Sequence, residues 1–191
     1  MHGYHDSWTT FPPQAIRRPD GTPLLSWRVA LLPFIEENAL YQQFHLDEPW
    51  DSPRNRALLD RMPKIYADPK KPEKNLTVYQ VFVGPGAMFE NQPQFKLGIN
   101  SITDGTSNTL MVVEAPQPVP WTKPEDITFI PNQAPTRMSA RWRGKFLGLF
   151  GDGSVRQLEA DMPTFTLQAY ITRAGGEVVP DEWDEPRRRF P

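Results

Sequence analysis

The residues with the most obvious chemical potential are the histidines. The chain of 191 residues has three of them, His2, His5 and His45, and no cysteine. His2 and His5 stand three apart, so on a helix they share a face and could offer two imidazoles to one metal ion. Two ligands from one short segment leave a tetrahedral site half built, and an ordinary surface pair is the simpler reading. His45 follows an apolar-periodic stretch, where the helix dipole mildly favours a cation. No G-x-S-x-G elbow or Ser-x-x-Lys frame occurs, and with so few bases nucleophilic catalysis has no support. The carboxylate pairs Glu36-Glu37 and Glu125-Asp126 fall on predicted surfaces, and nothing singles out a glycosidase pair. Gly84-Pro85-Gly86 lacks the following helix that a phosphate site needs, and there is no P-loop and no G-x-G-x-x-G. The expectation is a protein that is not an enzyme, with no catalytic, cofactor-binding or metal-ligating residue.

One polar segment remains, Asp104-Gly105-Thr106-Ser107-Asn108-Thr109. Its side chains can bond neighbouring amides and build an Asx-turn that leads into a strand at Leu110. The same oxygens could coordinate a hard cation such as Ca²⁺, although the alternating Asp/Asn pattern and closing Glu of an EF-hand loop are absent. Trp50, Trp121 and Trp142 all lie near Pro- or Gly-rich stretches. Exposed, they would mark a binding patch for a glycan or small molecule; buried, they would pin loops to the core.

Composition narrows the classes that could position these residues. A formal charge of −2 gives no electrostatic case for nucleic acid. The single basic run, Arg187-Arg188-Arg189, reads as a solvated tail. Twenty-two prolines against 12 glycines require many short elements joined by stiff loops. Without cysteine there are no structural disulfides and no thiolate chemistry. No stretch approaches the roughly 20 apolar residues of a membrane span, and the opening MHGYHDSW is not a signal peptide.

Elements follow from the periodicities. Met1 to Trp8 suits the last turns of a helix, and Ser26 to Phe44 carries a helical apolar face that Pro33 either starts or kinks. Ser52 and Pro53 suit the N-cap and first turn of another helix. Strands are expected over Thr77–Val83, Thr109–Glu114 and Ile127–Ile130. Lys145–Phe150 and Ser154–Leu158 flank Gly151-Asp152-Gly153 as a hairpin. A last helix starts near Asp161 or Pro163 and carries Phe165, Leu167, Tyr170 and Ile171, with Gly175-Gly176 as its C-cap. Helices first and strands later give an α+β arrangement.

With these residues in place, a resemblance emerges. The chain resembles the prepilin-type processing-associated family of bacterial surface proteins, a domain of unknown function named for His, nine residues, Asp-Gly. The matching stretches begin with Gly3-Tyr4-His5-Asp6, Phe11-Pro12-Pro13, Ser26-Trp27-Arg28-Val29 and Leu32-Pro33. They continue through Leu46–Pro53, Val83-Gly84-Pro85-Gly86, Ile102–Thr109, Val119–Asp126, Phe150–Arg156 and Thr172–Glu177. The resemblance implies a pseudopilin-like fold, an N-terminal helical part packed on a mainly antiparallel sheet with long Pro-rich loops. It implies one globular domain over residues 1–181 and a location outside the cytoplasmic membrane, while the composition of residues 182–191 reads as a charged, flexible tail. It also implies a leader and a long apolar helix ahead of Gly3–Asp6, the only means of membrane contact, and other pilin-like subunits or envelope components as partners. Two departures stand out. Ten positions before Asp152 the family's naming histidine is replaced by Trp142, so no role of that histidine transfers. Ile65–Pro69 also lacks the cysteine that relatives often carry.

Overall fold

The computed structural model describes residues 1–92 and 96–177. The expected tail over residues 182–191 and the run Arg187-Arg188-Arg189 lie outside the described residues. In chain order the elements are α1 (His2–Trp8), β1 (Ala15–Arg17), β2 (Pro23–Ser26), α2 (Trp27–Ala30), α3 (Asn38–Tyr41) and α4 (Pro53–Arg56). Then follow β3 (Leu76–Gln80), β4 (Phe82–Val83), β5 (Leu110–Pro120), β6 (Ile127–Thr128), β7 (Lys145–Phe150), β8 (Val155–Glu159) and α5 (Thr164–Ile171). The mixture is α+β, and its helices are short.

Proline and local caps explain the lengths. Ser26 to Phe44 is not one helix but α2, a 3₁₀ turn over Leu32–Phe34 and α3. Pro33 cannot donate to the turn before it, and Glu36 takes a positive φ of 65° that no helix tolerates. The expected start of α4 is present: Ser52 Oγ accepts from the Asn55 amide at 3.2 Å, with Pro53 in the first turn. Strand β5 runs further than expected, through Pro116, Pro118 and Pro120. These three alternate, so their missing amides all fall on one edge of the strand, and β7 pairs with only its first residues, Leu110 to Val113.

The chain divides into two compact units. The first comprises Met1–Tyr79, Asn91–Gly98 and Gln117–Asp126; the second comprises Gln80–Glu90, Ile99–Pro116 and Ile127–Pro191. In the first unit β1 and β2 form an antiparallel pair, and β3 neighbours β5, whose last four residues belong here. Its core gathers Leu25, Val29, Leu32, Leu40 and Tyr66 around Trp121. Trp121 is 0% exposed, stacks on Tyr66 at 6.0 Å between ring centroids and meets Phe44 edge-on at 5.8 Å. Helix α1 has no buried residue; it rests Tyr4 on Phe34 and flanks Phe11 with His2 and His5.

In the second unit β5, β7 and β8 follow one another antiparallel. Helix α5 covers one face, where Leu167, Tyr170 and Ile171 join Phe146, Phe150 and Leu158 in a single apolar cluster. Strands β4 and β6 pair in parallel, and Phe129 donates its amide to the Val83 carbonyl at 2.8 Å. Only glycine fits at position 84, because a Cβ there would stand 1.9 Å from the Phe129 carbonyl oxygen. The last helix ends earlier than expected. Its C-cap is Thr172 in extended conformation, and Gly175-Gly176 lies beyond it as part of a separate turn. Phe165, in the first turn of α5, is 58% exposed.

Candidate functional site

The two Asp-Gly turns, 48 positions apart in the chain, meet in the second unit. Asp152 donates its amide to the Thr106 carbonyl at 3.0 Å, and Gly151 donates to Thr109 at 2.9 Å. A Cβ at Gly151 would press on the Thr106 carbonyl at 3.0 Å, so the close approach of the turns favours glycine there. Gly153 (φ 84°) closes the β7–β8 hairpin, and Asp152 Oδ1 accepts from the Ser154 amide and hydroxyl. Gly105 (φ 95°) plays the same part in the other turn, where Asn108 Nδ2 donates to the Asp104 carbonyl.

Two of the side chains considered for Ca²⁺, Asp104 and Thr109, make hydrogen bonds within the protein. Asp104 Oδ2 accepts from the Gly175 amide at 2.7 Å and Oδ1 from the Gly176 amide at 2.9 Å, while the Asp104 amide donates to the Arg173 carbonyl. Thr109 Oγ1 donates to the Gly105 carbonyl. The segment therefore ties the entry of β5 to the turn after α5. Gly175-Gly176, read from sequence as a helix cap, is the receiver of this carboxylate. Among the described residues no three His, Asp or Glu side chains gather as a metal set. His2 and His5 both pack on Phe11, at 5.7 and 4.9 Å from its ring centroid. His45 is exposed, and its backbone is held by Asn55.

Trp142 is half-buried. Its indole Nε1 donates to Glu114 Oε2 at 2.7 Å, and the Leu147 amide donates to the same oxygen at 3.0 Å. Glu114 is 1% exposed, and its Oε1 has no hydrogen-bond partner. Arg143 (φ 53°) and Gly144 (φ 92°) form the tight two-residue turn that folds Trp142 back beside Lys145. Glu114 drew no attention in the sequence because it sits inside a run of apolar β5 residues without a charged neighbour.

A densely bonded polar cluster lies in the first unit, and no local spacing in the sequence points to it. Arg28, 0% exposed, donates from Nη2 to Asp126 Oδ1 at 2.9 Å, from Nη1 to Ser26 Oγ at 2.7 Å, and from Nε and Nη2 to the Tyr79 carbonyl. Trp27 Nε1 donates to Asp126 Oδ1 and Gln14 Nε2 to Oδ2, at 3.1 and 3.0 Å. The Asp126 side chain is fully buried, which corrects its expected place on a carboxylate-rich surface. Burial pulls the Arg28 guanidinium below its ordinary pKa, and the Asp126 charge opposes this. Burial also raises the Tyr66 phenol well above its ordinary value; its hydroxyl donates to the Arg28 carbonyl at 2.9 Å. The arrangement satisfies each partner from within the protein and works as a structural clamp.

The three tryptophans fare differently. Trp121 is buried and donates Nε1 to the Leu59 carbonyl at 2.9 Å, so it contributes nothing to a surface patch. Trp50 is half-buried beneath the Lys123 ammonium, 5.7 Å from its ring centroid. Asn55, 0% exposed, is a second hub that the sequence did not disclose: its Nδ2 donates to the carbonyls of His45, Glu48 and Pro49.

No helix among the described residues is long and apolar enough to cross a membrane. Neither the curated proteins nor the solved structures contain a match to this chain. Residues 1–80 match the model of a family described as a protein of unknown function (DUF1559).

Proposed function

We propose that this chain is the globular part of a pseudopilin-like cell-envelope protein, that it acts outside the cytoplasmic membrane, and that it is not an enzyme. The observation that carries the reading is the match of residues 1–80 to a family of unknown function. The ordered motifs that continue to Glu177 support it, and the α+β content is compatible with it. The polar clusters found in both units bond inward, to backbone and buried partners, which fits a scaffold better than a reaction centre. Its loops would meet other pilin-like subunits or envelope components. The second reading, a module that binds a glycan or small molecule through loop aromatics, loses one of its three tryptophans to the core.

Fractionation of the native bacterium, with antibody detection of the product of the natural gene, tests the proposal. The expected result is a membrane-associated protein that added protease digests in spheroplasts. Recovery of the intact natural product in the cytosol would overturn it.

A further inference from the structure

Between Arg54 and Lys74 the chain holds seven cations and three acids, although its overall formal charge is −2. All seven cations are exposed. The backbone here coils through α4 and two 3₁₀ turns, Leu59–Arg61 and Lys64–Tyr66. Its residues alternate two by two between core and solvent. Asn55, Leu58, Leu59, Met62, Pro63 and Tyr66 turn inward, and the Leu, Met and Tyr side chains join the apolar cluster around Trp121. Arg56, Ala57, Asp60, Arg61, Lys64 and Ile65 fall between them, and every one is exposed. That spacing is helical, so these six line one outer strip. Each acid of the segment is engaged or buried. Asp60 accepts from Lys74 Nζ at 2.7 Å and Asn75 Nδ2 at 2.6 Å, Glu73 pairs with Lys71, and Asp68 is 5% exposed. Arg61 donates to the neutral Gln43 carboxamide, and the side chains of Arg56 and Lys64 make no hydrogen bond or ion pair among the described residues. Three cations of the strip therefore face solvent without an acidic partner.

The strip ends on Ile65, which is 63% exposed directly beside Lys64. Cations alone suit any polyanion. An apolar side chain held out among them suits a lipid interface, where binding adds apolar burial to attraction for anionic headgroups. We propose that this strip docks the chain on an anionic lipid surface. Arg56, Arg61 and Lys64 meet headgroup phosphates, and Ile65 enters the apolar layer beneath them. Ala57 is small enough to let the two flanking arginines approach the same surface. The inference rests on surface charge and exposure and does not depend on the envelope reading.

Co-sedimentation of the full chain with sucrose-loaded vesicles tests this. At low salt it is expected to partition about tenfold or more strongly onto equal parts phosphatidylglycerol and phosphatidylcholine than onto phosphatidylcholine alone. Added salt should erase that preference by screening. Arg56→Gln and Lys64→Gln are each expected to weaken binding to the anionic vesicles about fivefold. Ile65→Ser leaves the charge unchanged and should weaken it about tenfold. Arg18→Gln, the same loss of charge at an exposed side chain beyond β1, should change it less than about twofold. All four side chains lie at the surface, so circular dichroism should match that of the parent. Equal binding to the two vesicle types would overturn the proposal. So would an Arg18→Gln loss as large as that of Lys64→Gln. Unchanged binding by Ile65→Ser would overturn it too, because a purely electrostatic partner ignores that side chain.

Discussion

Each unit buries a carboxylate, and the two do so by opposite means. In the first unit Asp126 faces a guanidinium, an indole N–H and a carboxamide, which together engage both of its oxygens. In the second, Glu114 receives an indole N–H and a backbone amide on one oxygen, while the other has no hydrogen-bond partner. The first is an ion pair inside a set of hydrogen bonds; the second is held by neutral donors. The difference shows where each unit is vulnerable. Removing one member of a buried ion pair strands the opposite charge, whereas removing a neutral donor forfeits a single charge-assisted bond.

The largest expected effect follows from that contrast. Arg28→Met would leave Asp126 buried and uncompensated, at a cost of about 3–5 kcal/mol in urea unfolding. Trp142→Phe keeps the ring but removes the N–H to Glu114, and is expected to cost about 1.5–3 kcal/mol. A loss as large as that of Arg28→Met would mean that the two carboxylates are not different in kind. Asp104→Ala, which frees the Gly175 and Gly176 amides at an exposed site, should cost about 1 kcal/mol and raise amide exchange at those two residues.

The smallest effect is one of pH. Tyr66 has its folded-state pKa raised by burial, with Arg28 opposing the shift. The folded chain therefore holds that proton more tightly than the unfolded chain. The resulting stability is complete below the unfolded tyrosine value of about 10 and is lost as pH rises above it. Tyr66→Phe should flatten part of the alkaline fall in melting temperature. An unchanged alkaline slope would remove the Tyr66 phenol from that account.

What the sequence disclosed was local. Ser52 with Pro53, the helix at His2–Trp8 and the Asp152-Gly153 hairpin all rest on residues within a few positions of one another, and each is present. The long helix over Ser26–Phe44 failed because Pro33 and the positive φ of Glu36 outweigh apolar periodicity. The polar clusters were illegible for a different reason. Arg28 and Asp126 are 98 positions apart, and Glu114 and Trp142 are 28 apart. Neither pair has a local spacing rule. The adjacency of the two Asp-Gly turns has the same character: each was recognised as a turn, but only the β5–β7 pairing sets them side by side.

The central claim, that a coupled ion pair holds Asp126 in the first unit while neutral donors hold Glu114 in the second, is tested most directly by a double-mutant cycle on Arg28→Met and Asp126→Leu. Urea unfolding of the parent, the two single variants and the double variant gives the coupling. The account predicts that each single variant loses about 3–5 kcal/mol and that the double variant loses far less than their sum, because the second change removes the stranded partner. Additive losses would contradict it.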